Sequence, residues 1–116
     1  MAQIHAAPGD IIDVRPYGER LADANSLALF KSDGVEVLRM VLRAGRSVPQ
    51  HHVDEEVTVQ CLEGEVEFQA GERTQILQPA QLLWLKPNTP YAMRALSDAS
   101  LLMTIVRRQA LGANNT

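Results

Sequence analysis

The stretch Gly45-Arg46-Ser47-Val48-Pro49-Gln50-His51-His52-Val53-Asp54-Glu55-Glu56, running on to Leu62-Glu63-Gly64, decides how this chain is read. It packs a glycine, a proline, two histidines and three acids into twelve residues, directly ahead of an apolar alternation. Val57, Val59 and Cys61 alternate with Thr58, Gln60 and Leu62. Side chains on a strand change face at every residue, so this period of two predicts a strand with one buried face. Gly64 closes it with a turn, and Val66 to Phe68 returns as the second arm of a hairpin.

The same rhythm extends outward in both directions. Ser32-Asp33-Gly34, Ala44-Gly45, Ala70-Gly71, Pro79-Ala80, Pro87-Asn88-Thr89-Pro90 and Ser97-Asp98-Ala99 punctuate the chain at strand-length intervals. Between them Leu27 to Phe30, Val35 to Leu42, Thr74 to Leu77, Leu82 to Leu85, Tyr91 to Leu96 and Leu101 to Val106 read as strands. With the central hairpin they make eight. Such tight connections require antiparallel pairing, because parallel neighbours need long crossovers. Tyr17 to Asn25 predicts a turn or two of helix. Residues 1–7 and 112–116 are expected to be loosely held around a core of about 26–107.

Composition narrows the classes of function. A length of 116 residues suits one domain, and a 46% apolar share is enough to fill a core. A net charge of -3 and scattered basic residues argue against a grip on nucleic-acid phosphates. There is no secretory leader pattern and no apolar run approaching a membrane span. The single cysteine, Cys61, cannot form an internal disulfide and points to a reducing compartment, so the cytoplasm is expected.

At this point the sequence resembles a small single-domain cupin, an all-β antiparallel jelly-roll β-barrel of the RmlC-like type. Gly45, five residues and His51 match the opening of that family's first motif, and Leu62-Glu63-Gly64 its close. Ala80 to Leu85, followed by Pro87-Asn88-Thr89-Pro90-Tyr91, follows the outline of the second. Asn88 stands where the family has a turn glycine, as its short amide side chain tolerates left-handed backbone. The resemblance spans residues 35–106. It implies a metal held by three histidines and a glutamate. Here His51 keeps the first position, while Val53, Val57 and Tyr91 occupy the other three and Ala95 replaces the second motif's asparagine.

That substitution set implies a mostly apolar pocket with His51 and Tyr91 as its polar groups, lined by Val53, Val57, Met40, Met93 and Met103. Small-molecule binding without evident catalysis is the expected function, with no cofactor. The rival is a metal-dependent enzyme, dioxygenase- or isomerase-like. Its repaired site would take His51, His52, Glu55, Glu56 and Tyr91 around Zn, Fe, Ni or Mn, mixing imidazole and carboxylate donors. Strand parity puts His51, Val53 and Glu55 inward and His52 and Glu56 outward, so the repair needs a bulge. A metal-free acid-base pair of His51 and Tyr91, and a pure scaffold, stay open beside these.

Leu82-Leu83-Trp84-Leu85 is apolar on both faces, which implies covering from two sides. Cupins of this size commonly dimerise through sheet faces. The resemblance therefore implies a homodimer through Trp84, joined by Leu62, Phe68 and the segment around Ile11-Ile12.

Overall fold

A computed structural model describes residues 5–107. Nine strands are present among them: β1 (Leu27–Lys31), β2 (Val35–Leu42), β3 (Ser47–His51), β4 (Glu56–Glu63), β5 (Val66–Ala70), β6 (Arg73–Leu77), β7 (Leu82–Leu85), β8 (Tyr91–Ala95) and β9 (Ala99–Val106). They form a five-stranded sheet in the order β1-β2-β9-β4-β7 and a four-stranded sheet in the order β3-β8-β5-β6. Every pairing is antiparallel. The sheets face each other in jelly-roll fashion without closing into one cylinder.

The ninth strand, β3, escapes the sequence pattern for a local reason. Its register against β8 shifts between Val48 and His51, so residues 49 and 50 oppose Ala92 alone. A two-for-one bulge breaks the period of two that would have announced a strand, and Pro49 hides it further. The expected helical turns appear as a short 3-10 helix, Gly18–Asp23, which buries Leu21. Part of the expectation of loose ends concerns residues 1–4 and 112–116, which lie outside the described residues. Residues 5–7 are described, and there the Ala6 N–H donates to Leu29 O at 2.9 Å.

The core lies between the sheets. Val57, Val59 and Cys61 of β4, Phe68 of β5, Met93 of β8 and Leu101 and Met103 of β9 all point into it. The central strand β9 pairs on both sides, and its inward residues Ala99, Leu101 and Met103 are all buried. Phe68, expected at a dimer face, is a core residue instead, because β5 turns that side of its alternation inward. Desolvation by this core pushes the Cys61 thiol up to about 11, so the group stays protonated and unreactive.

Two turns set the frame of the site. Asn88 adopts φ 65°, the left-handed geometry anticipated for it, and its N–H donates to Val53 O at 2.8 Å. This bond ties the loop after β3 to the turn before β8. Gly64 adopts φ 80°, and a Cβ there would fall on the Asp98 carbonyl oxygen and within 2.8 Å of Ala99. Only glycine fits so close to another backbone with that φ.

Candidate functional site

His51 and Tyr91 are cross-strand partners at the end of the β3–β8 ladder. Their rings pack with centroids 4.5 Å apart, tilted by 52°. Tyr91 in turn stacks nearly parallel on Phe68, at 5.8 Å and 7°. The bulge in β3 produces this column: by consuming one extra residue it turns His51 onto the same side as Tyr91. Phe68 then fixes the phenol from beneath, a role the sequence gives no direct sign of.

The two polar groups do not bond to each other. His51 is exposed and its Nδ1 sits 3.3 Å from Pro49 O. Tyr91 is only 4% exposed, yet its hydroxyl has no hydrogen-bond partner among the described residues. The hydroxyl is also absent from the sealed, unsatisfied side-chain atoms, a group that among the described residues holds Arg39 Nε alone. The phenol is therefore buried by its ring while its oxygen still reaches open space. Burial raises its pKa, so near neutral pH it is a hydrogen-bond donor in search of an acceptor.

The other expected pocket residues divide into two groups. Val57, Met93 and Met103 are 1–3% exposed and serve as core. Met40 and Val53 are half-buried at its margin, with Leu38, Val48, Leu83 and Ile105 beside them.

Among the described residues, no three His, Cys, Asp or Glu side chains come together as a donor set. Glu56 shows why: it lies on the outer face of β4, and its Oε1 accepts a 2.8 Å hydrogen bond from Trp84 Nε1. Strand parity keeps it away from His51, and the β3 bulge falls before His51 rather than at His52.

A second polar cluster, missed in the sequence, occupies the outer face of the five-stranded sheet. Arg39 of β2 is 2% exposed; its Nη2 donates to Glu63 Oε2 at 3.2 Å, to Ser100 Oγ at 3.1 Å and to Arg15 O at 2.9 Å. The Tyr17 ring lies 3.8 Å from its guanidinium carbon. Glu63 accepts from Ser100 Oγ at 2.6 Å and from the Tyr17 and Gly18 N–H groups at 3.0 and 3.1 Å. Burial alone would raise the Glu63 carboxyl, but Ser100, the two backbone donors and Arg39 together hold it below its ordinary range. The signal available in the sequence was an arginine at mid-strand, which reads as a solvated outward position.

The sequence profile of the AraC-like ligand binding domain matches residues 41–112, more than half of the chain. The chain belongs to that family. Solved structures similar to this AraC-like domain include a cupin superfamily protein from Desulfitobacterium hafniense. It is 18% identical, with a TM-score of 0.71, covering 87% of this chain and 98% of that one. An RmlC-like cupin from Shewanella frigidimarina is 12% identical with a TM-score of 0.69, covering 71% of this chain and 74% of its own. The DMSP lyase DddQ from Ruegeria pomeroyi is 22% identical with a TM-score of 0.65, covering 70% of this chain and 45% of that one. At such identities the likeness is one of fold. No curated protein matches in sequence. No helix among the described residues is long and apolar enough to cross a membrane.

Proposed function

We propose that this domain binds a small, mostly apolar molecule that offers a hydrogen-bond acceptor to Tyr91, beside the His51 ring, without a metal centre. The observation that carries this reading is the Tyr91 hydroxyl: a buried ring whose oxygen has no partner among the described residues. Its oxygen reaches open space, so an acceptor arriving from outside adds a net hydrogen bond of about 0.5–1.5 kcal/mol. Membership in a ligand-binding family supports the reading, as does the apolar lining, the usual surface of small-molecule sites. The cytoplasm suits its one buried thiol.

The test is a thermal-shift screen of small ketones, phenols and aromatic amides against the protein and its Tyr91→Phe variant. Compounds that raise the melting temperature of the first and lose roughly tenfold in affinity for the second support the site. Hits that bind both equally place the ligand elsewhere, and an empty screen counts against the proposal.

A specific observation also supports the expected homodimer. On the described outer surfaces Ile11 is 97% exposed, Leu82 62% and Trp84 60%. Leu82 and Trp84 lie side by side on the outer face of β7, and a second copy of the chain is the proposed cover. Sedimentation at rising concentration, with Trp84→Glu as the control, checks this. A monomer at every concentration removes the idea.

A further inference from the structure

The segment from Asp13 to Ala24 crosses the outer face of the five-stranded sheet and is held there at three places. The Arg39–Glu63–Ser100 cluster grips residues 15–18, Leu21 is buried at 8% exposure, and Arg43 Nη2 donates to Ala24 O at 2.9 Å. We propose that this segment is a detachable strap with the Glu63 carboxylate as its latch, so that neutralising this one group frees the strap while the sandwich stays folded.

The geometry behind the latch begins with a bulge. The β4–β9 register shifts between Cys61 and Glu63, which makes Leu62 the extra residue and aligns Glu63 with Ser100. Glu63 thereby leaves the alternation of β4 and sets its carboxylate among four donors. Two of these, the Tyr17 and Gly18 N–H groups, belong to the strap; the other two, Ser100 Oγ and Arg39 Nη2, belong to the sheet. One anion thus bridges the two bodies. Among the described residues, the only other hydrogen bond from the cluster to the strap is from Arg39 to Arg15 O.

Arg39 couples the latch to release. Its side chain is 3% exposed, its Nε is already buried without a partner, and the Tyr17 ring covers its face. Once Glu63 carries no charge, the guanidinium is a buried cation with no counter-ion, and such a charge moves to water where it can. The way out lies beneath Tyr17, so hydrating Arg39 lifts the strap. Asp13 does not replace the latch, because its carboxylate pairs with Arg15 at 2.9 Å on the exposed side. Release uncovers Arg39 in a cross-strand row with Leu102, Gln60 and Leu82, and so widens the bare outer face towards β2. None of this depends on the ligand proposed for Tyr91.

Trypsin supplies the test. Arg15 precedes proline and resists cleavage, so the Arg20–Leu21 bond reports on the strap, since Leu21 must leave its seat before that bond can be cut. Reactivity of Cys61, which is fully buried, reports on the sandwich. The proposal expects Glu63→Gln to be cut after Arg20 roughly tenfold faster or more, with Cys61 as protected as before. In Glu63→Ala, added formate or acetate should slow the cut again by refilling the carboxylate slot. Cleavage of Glu63→Gln at the original rate overturns the latch. If both Glu63 variants expose Cys61, Ser100→Ala decides, since it removes one donor and keeps the ion pair. Faster cleavage with Cys61 protected then supports the strap, and an unchanged rate or parallel exposure of Cys61 overturns it.

Discussion

The two faces of the sandwich treat polar groups in opposite ways. On the outer face, under the strap, a buried arginine and a carboxylate share hydrogen bonds with each other, with Ser100 and with backbone groups of residues 15–18, while Arg39 Nε alone is sealed without a partner among the described residues. Inside, at the end of the β3–β8 ladder, a single phenol packs between the His51 and Phe68 rings, and its hydroxyl bonds to none of the described residues. Desolvating a charge is costly enough that a chain buries one only with partners, so the outer cluster is built to hold structure together. An isolated hydroxyl with access to open space costs little to keep and gains an interaction only when something arrives. The difference separates a fastening from a binding group.

The harshest test of the fastening side is Gly64→Ala. Its Cβ meets Asp98 O and Ala99 while the backbone holds φ 80°, so the turn that delivers Glu63 must be rebuilt. Urea unfolding should show a loss of about 3 kcal/mol or more. A loss under about 1 kcal/mol would mean that the β4–β5 turn gives way more easily than its contacts suggest.

Arg39→Met comes next. It strands Glu63 beside Ser100, and since that carboxylate is 12% exposed the cost should sit near the lower end of the 3–5 kcal/mol for breaking buried pairs, about 3 kcal/mol. Adding Glu63→Leu should recover much of it. The same pair predicts a pH dependence. The Glu63 pKa is lowered in the folded state by Ser100, the strap N–H groups and Arg39, against the raising effect of burial. Its contribution is therefore complete above the ordinary carboxylate value and is lost as pH falls through the lowered one. Urea midpoints measured into the acid range should fall less steeply for Glu63→Gln than for the parent. Equal slopes would assign the acid limb to other carboxylates.

The smallest effects belong to the inner side. Tyr91→Phe removes a hydroxyl that bonds to nothing, and His51→Ala removes an exposed ring, so each should leave stability within about 0.5 kcal/mol. A Tyr91→Phe loss above about 1 kcal/mol would reveal an internal partner for the hydroxyl and erase the contrast between the two faces.

Much of the fold was legible residue by residue. Val57, Val59 and Cys61 alternate, and all three are in the core; Asn88 replaces a glycine, and it is left-handed. The pairing of His51 with Tyr91 followed from the motif outline, but the nature of their contact did not. The two polar groups pack as tilted rings rather than bonding to each other, with Phe68 beneath Tyr91 and the carbonyl of Pro49 beside His51. Phe68 comes from the neighbouring strand β5, and Pro49 lies two residues away within the bulge of β3. Arg39 and Glu63 were invisible for a related reason. An outward arginine at mid-strand looks solvated until something from elsewhere in the chain lies over it.

From its order of residues alone this protein determines local periodicity, turn positions, the inward side of most strands and the replacement of histidine and glutamate by Val53, Val57 and Tyr91 at three of the four ligand positions that the resemblance implies. Each depends on neighbours a few places apart, where backbone sterics and side-chain alternation act directly. Tertiary structure decided which outward face is covered, where a bulge spends its extra residue, and which buried polar atoms find partners. Those outcomes depend on contacts between segments tens of residues apart, as between Tyr17 and Glu63 or between Arg39 and Ser100. No short pattern encodes such distances; only packing brings them within hydrogen-bonding reach.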